Sequence, residues 1–244
     1  MIPHIIHYCW FGKGPLPELA EQCIASWRKY MPDWQYMRWD ETNFSIADAP
    51  AYVHEAYAAK KYAFVSDYVR LWALQQYGGV YLDTDVETLK SLEPMLNDTV
   101  FMSFEESKEH LPATCVIGCE AHSLWTEDML ALYDGVSFIK PDGSLDMTTN
   151  VQRMGKVMVA ELMSEEKYWK QNHFISKWGL RIYTHDYFSP ITSTRVMRRT
   201  KNTYAIHHFA GSWQDDKPLA RWRNWAITRE IVNVLVMIKR RISK

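Results

Sequence analysis

The fold turns on residues 60–89, KKYAFVSDYVRLWALQQYGGVYLDTDVETL. Tyr62, Val65, Val69, Trp72 and Gln76 or Tyr77 recur at steps of three and four, so the first half predicts an amphipathic helix with an apolar stripe. Gly78 and Gly79 end it, as glycine does at helix C-termini. VYLDTDVETL then reads as a strand, apolar until Asp83 and Asp85. Residues two apart on a strand project from one face about 7 Å apart, which aims both carboxylates together at the strand's C-terminal end. In open α/β sheets that end is where ligands bind.

Two converging carboxylates repel each other unless a cation sits between them. A hard divalent ion, Mg²⁺ or Mn²⁺, suits such a pair and completes its shell with water and substrate phosphate. The plainer alternative is a strand-end turn with solvated acids. Ser66, Asp67 and Arg70 fall off the helix's apolar stripe, close to the glycine turn. Asp67 and Arg70 are spaced for an i,i+3 ion pair. The same spacing could offer an acceptor and a donor to the hydroxyls of a ligand beside the cation.

Outward from this stretch, HIIHYCWF (4–11) reads as a buried strand, followed by the loop GKGPLP. ELAEQCIASWRKY (18–30) places Leu19, Cys23, Trp27 and Tyr30 on one helical face, and WQYMRW (34–39) alternates like a second strand. This β-α-β opening predicts an α/β fold with a mostly parallel central sheet flanked by helices. Residues 100–190 mix short strands and helices without a dominant period. TYAIHHFAGSW (203–213) reads as a late strand running into a loop, and Leu219 to Ile242 as a long final helix. With no repeat or linker, the chain divides only into a body, 1–218, and a basic amphipathic helix, 219–244, belonging to the same unit.

At 244 residues, 47% hydrophobic and 23% charged, the chain is long and apolar enough for a packed core. Its 11 tryptophans and 14 tyrosines supply flat faces suited to sugars and bases as well as to cores. A net charge of −1 argues against a nucleic-acid partner. That total hides an asymmetry: Arg221 to Lys244 holds seven Lys or Arg against Glu230 alone, a net of +6, so the remainder carries −7. Ile231, Val234, Leu235, Ile238 and Ile242 form one stripe of the tail helix. With Trp222 and Trp225 before the stripe and basic residues at its end, the tail suits an anionic membrane surface or, alternatively, packing on the body. Cys9, Cys23, Cys115 and Cys119 do not form a disulfide framework and read as buried thiols of a reducing compartment. MIPHIIHYCWFGKG lacks the features of a secretory signal, and the longest apolar run is VLVMI, so the expected location is cytoplasmic, peripheral on the inner membrane face.

SDYVRLWALQQYGGVYLDTDV (66–86) resembles the core signature of family 32 glycosyltransferases, DXD-containing sugar transferases that include capsular-polysaccharide enzymes of bacteria. It is similar at longer range to the catalytic domain of the large clostridial glucosylating toxins. IPHIIHYCWFGKGPLPELAEQCIASWRKYMPDWQYMRWDETNF (2–44) looks like the start of the bacterial enzymes; the likeness is strong over residues 1–96, recurs at AIHHFAGSW and is weak between. The resemblance implies a GT-A domain, a Rossmann-like nucleotide-sugar fold, over 1–218. It implies a retaining hexosyltransferase that takes a UDP-linked sugar to a saccharide or lipid-linked acceptor in surface polysaccharide synthesis.

By the same resemblance, Asp85 binds Mn²⁺ (or Mg²⁺) directly, Asp83 contacts ribose and metal, and Asp67 and Arg70 hold the donor sugar. Ser66 and Tyr81 line the nucleoside, and Trp10 stacks on uracil. The register of HHFAGSW resembles the H-x-x-G of family 8 enzymes, which implies His208 as third metal ligand and turns His207 to the packed side of the strand. Ser212 and Trp213 would contact metal or phosphate. The chain departs from family 8 in lacking the full K-P-W ending, which leaves Lys217 without that assignment. No residue stands out as a nucleophile, although Glu105 and Glu106 in SFEES are candidates; a front-face attack by the acceptor hydroxyl needs none.

Three rivals remain. A haloacid-dehalogenase-like sugar phosphatase also uses D-x-D after a buried strand, but Glu87 stands where Thr or Val is wanted. A glycoside hydrolase needs carboxylates on opposite sides of the scissile bond. A non-catalytic sugar-binding module is suggested by the aromatic content alone.

Overall fold

The computed structural model describes residues 1–106, 110–162, 167–191 and 196–211. In chain order the regular elements are β1 (Ile5–Cys9), α1 (Glu18–Tyr30), β2 (Gln35–Trp39), α2 (Ala51–Ala58), α3 (Tyr62–Tyr77), β3 (Gly79–Leu82) and β4 (Val86–Thr88). They continue as β5 (Val100–Phe104), β6 (Pro112–Cys119), α4 (Leu124–Ala131), α5 (Asn150–Ala160), β7 (His173–Ile175), β8 (Leu180–Tyr183) and β9 (Ala205–His207). Seven strands form one sheet in the order β2-β1-β3-β6-β5-β8-β7, and β4 pairs with β9 in a separate two-stranded sheet. The expected α/β architecture is present. Its parallel pairs are β1–β2, β1–β3 and β5–β8, while β6 runs antiparallel between β3 and β5.

Alternation along the strands sends side chains into two cores. Ile6, Val80 and Leu82 pack with Trp27 and Cys23 of α1 on one face. Cys9, Tyr81 and Ile117 pack with α2, α3, α4 and α5 on the other. The helix α3 is buried more widely than a single stripe requires. Phe64, Val65, Val69, Leu71, Ala73 and Leu74 are all covered, and so are Asp67 and Arg70, which sequence periodicity places off the apolar face. The cause is enclosure, since α3 contacts α2 and α4 as well as β1, β3 and β6. All four cysteines are buried and free, as expected. Among the described residues, no helix is long and apolar enough to cross a membrane. The expected tail helix, 219–244, lies outside the described residues, as do Ser212, Trp213 and Lys217.

The stretch VYLDTDVETL is not one strand. It breaks after Leu82, turns through Thr84 and Asp85, and resumes as β4 in the second sheet. A two-stranded ribbon of three residues a side has little stability of its own. Packing on α1 supplies what it lacks: the Trp27 indole N–H donates to Val86 O at 2.6 Å, and Thr88 N donates to Ser26 Oγ at 2.9 Å.

The entry to β3 is fixed with similar economy. His7 is fully buried, with Nε2 on Gly78 O at 2.7 Å and Nδ1 accepting from Trp39 Nε1 at 3.1 Å. Burial brings its pKa down to about 4, against the opposing bond to Gly78, so the ring is neutral at pH 7. Gly79 has φ +110°, and a Cβ there would stand 2.6 Å from Ile5 O and 3.1 Å from His7 Nε2. Gly79→Ala therefore combines backbone strain with a clash against backbone. Urea unfolding should show a loss at or above ~1–3 kcal/mol; an unchanged midpoint would refute this account of the turn.

Candidate functional site

A cleft of about 1000 Å³ opens where β3 ends, lined by Trp10, Ser66, Asp67, Arg70, Tyr81, Asp83, Asp85 and His207 among others. Both D-x-D carboxylates are set by backbone before they are set by side chains. Asp83 N donates to Cys115 O of β6 at 2.9 Å, and Val86 N closes the turn on Asp83 O at 2.9 Å. Asp85 is tied to the other end of the molecule: His208 N donates to Asp85 O at 3.0 Å, and Ala210 N to Asp85 Oδ2 at 2.7 Å. The convergence anticipated from strand periodicity is real but arises from this turn and its link to β9.

The structure brings His207, and not the expected His208, to the D-x-D turn. His207 pairs with Val86 across the β4–β9 ribbon and brings its Nε2 to 3.4 Å from Asp85 Oδ1. His208, the expected ligand, instead sits with Nε2 3.1 Å from Glu87 Oε2. The cluster brought together is Asp83, Asp85 and His207, whose ligand atoms all lie within 4.8 Å of one another. Burial disfavours the His207 imidazolium, but Cys115 and the Asp85 carboxylate outweigh it, and the ring holds its proton well above the usual histidine range. Asp85 shifts the opposite way, to about 2: burial opposes the charge, while His207 and the Ala210 N–H prevail.

This set fits a divalent cation. It offers two carboxylates and an imidazole in reach of one point, a donor set suited to Mn²⁺ or Mg²⁺. His207 Nδ1 is buried without a hydrogen-bond partner among the described residues, and the ring packs on Phe209 with centroids 4.0 Å apart.

Arg70 organises the remainder. Its guanidinium is 5% exposed and lies 4.5 Å from the Tyr81 ring centroid. Nη2 donates to Asp67 Oδ1 at 2.9 Å, Nη1 to Thr114 O at 2.8 Å, and Nη1 approaches Asp83 Oδ1 at 3.2 Å. Tyr81 OH donates to the same Asp83 oxygen at 3.0 Å. The spacing of Asp67 and Arg70 thus makes an ion pair, and that pair faces the cleft. Asp67 Oδ2 also accepts the first N–H of α5, from Asn150, at 3.1 Å. Burial lifts Asp67 to about 6 in spite of Arg70 and this N–H.

Asn150 is a site residue that sequence reading missed. It is 3% exposed and lines the cleft; its Oδ1 accepts from Thr114 Oγ1 at 2.8 Å, while its Nδ2 has no partner. A buried amide donor left unmade costs about 1–3 kcal/mol, which a ligand oxygen would recover. Its only sequence signal is the Thr149 capping box with Gln152, which marks a helix start and not a ligand. Among the other expected residues, Ser66 Oγ donates to Tyr62 O at 3.1 Å, and Trp10 Nε1 to Gly14 O at 2.8 Å, with both side chains on the cleft wall.

A cation entering beside Asp85 must displace the His207 proton, so metal binding should release close to one proton and weaken as pH falls. Calorimetric Mn²⁺ titrations in buffers of different ionisation enthalpy measure this. His207→Ala should lose most of the affinity and the proton release, whereas His208→Ala should keep both. The opposite ranking would restore His208 as the ligand.

Residues 17–102 match the family described as the glycosyltransferase sugar-binding region containing the DXD motif. The chain is 31% identical over 127 residues to inositol phosphoceramide mannosyltransferase 1 of Schizosaccharomyces pombe, a stretch covering 48% of this chain and 36% of that protein. Mannosyltransferase 3 of the same series and organism is 33% identical over 100 residues, covering 39% and 28%. The alignable part thus spans about a third of these relatives' length. Among solved structures, the PaToxG glycosyltransferase is 17% identical over 67% of this chain and 71% of its own, with a TM-score of 0.49. The family match encloses Asp67, Arg70, Asp83 and Asp85, while His207 and Asn150 lie beyond it.

Proposed function

We propose that the protein is a metal-dependent, retaining glycosyltransferase of the GT-A type. It transfers a hexose from a UDP-linked donor to a saccharide or lipid-linked saccharide, in the manner of family 32 enzymes of surface polysaccharide synthesis. The observation that carries this reading is the meeting of Asp83, Asp85 and His207 within 4.8 Å, in the same cleft as the buried Asp67–Arg70 pair. The sugar-binding family match over residues 17–102 supports it.

The residues divide the work along the cleft. Trp10 offers an aromatic face for the base. Asp83, Asp85 and His207 would hold Mn²⁺ or Mg²⁺, which when bound supplies positive charge to a departing diphosphate. Asp67, with its spare lone pairs, and the Asn150 amide present an acceptor and a donor to the sugar hydroxyls. On this reading the Asp67 carboxylate offsets the positive charge that develops on the ring as the glycosidic bond to phosphate lengthens. The acceptor hydroxyl then attacks from the face the phosphate leaves, passing its proton to the departing phosphate oxygen, which needs no protein nucleophile.

The phosphatase rival fits less well, because Tyr81 and Arg70 both engage Asp83 Oδ1 and restrain a carboxylate that would have to attack phosphorus. A hydrolase pair fits less well too, since Asp83 and Asp85 close on one point instead of flanking a bond.

Purified protein with Mn²⁺ should release nucleoside diphosphate from one member of a panel of UDP- and GDP-hexoses, the latter included because the curated relatives are mannosyltransferases. Asp85→Asn should abolish this release and lower the thermal midpoint while leaving a folded protein, because the amide keeps the Ala210 N–H contact but not the charge that faces His207. Trp10→Ala should weaken UDP binding by ~1–3 kcal/mol if the indole stacks on the base. Release of inorganic phosphate from hexose phosphates, with no nucleotide released, would overturn the reading.

For the tail, residues 219–244, we propose attachment to an anionic membrane face on the strength of its net basic charge, each such group near the surface contributing about 1 kcal/mol. Co-sedimentation with phosphatidylglycerol vesicles at low salt should fall sharply when these residues are removed. Equal recovery in the supernatant with and without them would leave the tail as packing.

A further inference from the structure

The cleft has walls that the donor reading does not use. Glu105, Glu106, Leu111, Met147 and Ile191 line the same cavity as Asp83 and Asp85. Leu111 and Ile191 are buried and Met147 is 37% exposed, so this part offers an apolar surface beside two acids.

Glu106 is the residue in this wall with capacity to spare. It follows β5, its side chain is 30% exposed, and its polar partner among the described residues is His185, with Nε2 3.6 Å from Oε2. That separation is an ion-pair distance and too long for a hydrogen bond. A carboxylate has about four lone-pair sites, and here none is taken by a hydrogen bond to a described residue. Nearby, the His110 ring lies flat on Trp169, centroids 3.9 Å apart and planes 5° from parallel, and His110 Nδ1 is buried without a partner. The cavity wall therefore combines a partly exposed acceptor with apolar side chains. That is the chemistry that recognises a sugar: hydroxyls on the carboxylate, C–H faces on Leu111, Met147 and Ile191.

We infer that Glu106 recognises the acceptor saccharide, taking hydrogen bonds from its hydroxyls, and that His185 is a positioning residue holding the carboxylate toward the cleft. This rests on the glycosyltransferase reading above. The two adjacent acids also set the class of acceptor. A neutral or amino hexose is admitted, whereas a uronic acid brings a like charge against Glu105 and Glu106.

The test uses the full-length enzyme loaded with UDP and Mn²⁺, and octyl glucoside, octyl galactoside, octyl mannoside and glucuronic acid as probes. Saturation-transfer NMR should detect at least one neutral glycoside on the wild type and no glucuronic acid. Glu106→Ala should raise that glycoside's Kd and its KM in transfer by about tenfold or more, as for loss of a charged hydrogen-bond partner. UDP affinity and thermal midpoint should stay at wild-type values. Glu106→Gln should retain part of the binding and admit glucuronic acid, and His185→Gln should raise KM with a smaller effect. The inference is overturned if no neutral glycoside binds the wild type, if Glu106→Ala binds glycoside normally, or if UDP affinity falls in parallel. A wild type that binds glycoside but releases no nucleoside diphosphate from any donor would instead sink the glycosyltransferase reading.

Discussion

The buried guanidinium of Arg70 is the interaction on which the site depends. It joins α3 to β3 through Asp83, to β6 through Thr114 O, and to α5 through Asp67 and the Asn150 N–H. Burial works against its charge, but Asp83, then Tyr81 and Asp67, more than restore it, and the group stays protonated. Such a set is an uncertain source of stability, because desolvating its charges consumes most of what their attraction returns. Breaking it is another matter: a buried charge left without its partner costs about 3–5 kcal/mol. Arg70 is therefore better understood as fixing geometry. With Asp83 Oδ1 held by Arg70 and Tyr81, the other oxygen accepts no hydrogen bond from a described residue, and the side chain keeps one oxygen within 4.8 Å of ligand atoms on Asp85 and His207.

How much of this the sequence carried depends on the range of the interaction involved. Helix α3 and its glycine stop, α1, and strands β1 and β2 follow from local period and from Gly78–Gly79, and they occur at the expected residues. The burial of Asp67 and Arg70 did not follow from the stripe. A helix enclosed on three sides has no solvated face to which its ion pair can go, and that enclosure is created by α2, α4 and the sheet. The antiparallel insertion of β6 was likewise illegible, because it arises within residues 100–190, where no single period dominates.

The exchange of His208 for His207 has a specific physical origin. Alternation along a strand tells which residues share a face, but not which face is turned to the site. Here β9 is three residues long, pairs among the described strands only with β4, and ends at His207, after which Phe209 takes a positive φ of 53°. The side chain that reaches Asp85 is decided by the register Val86–His207 across a distance of 121 residues in sequence. A motif transferred from another family fixes spacing and leaves this register open. Asn150 was hidden for a related reason: the feature that marks it is an amide nitrogen without a partner, which exists only once Thr114 has claimed the other end of the side chain.

Charge accounting explains why the cluster is poised rather than merely acidic. At neutral pH the carboxylates of Asp67, Asp83 and Asp85 face Arg70 and a protonated His207, which leaves the set with one negative charge. Exchange of the His207 proton for a divalent cation brings it to neutrality, so the cation enters without stranding excess charge in a buried place. For the donor proposed above, these five residues with their cation would then add no net negative charge against its diphosphate, whereas before the exchange they would. On the proposed reading donor and cation would be coupled through His207, and each should bind more tightly in the presence of the other, by the same factor. The short β4–β9 ribbon, held on α1 by Trp27 and Ser26, is what keeps that histidine in register with the D-x-D turn. The contact between the ribbon and α1 is in this way a condition of the geometry within the cleft.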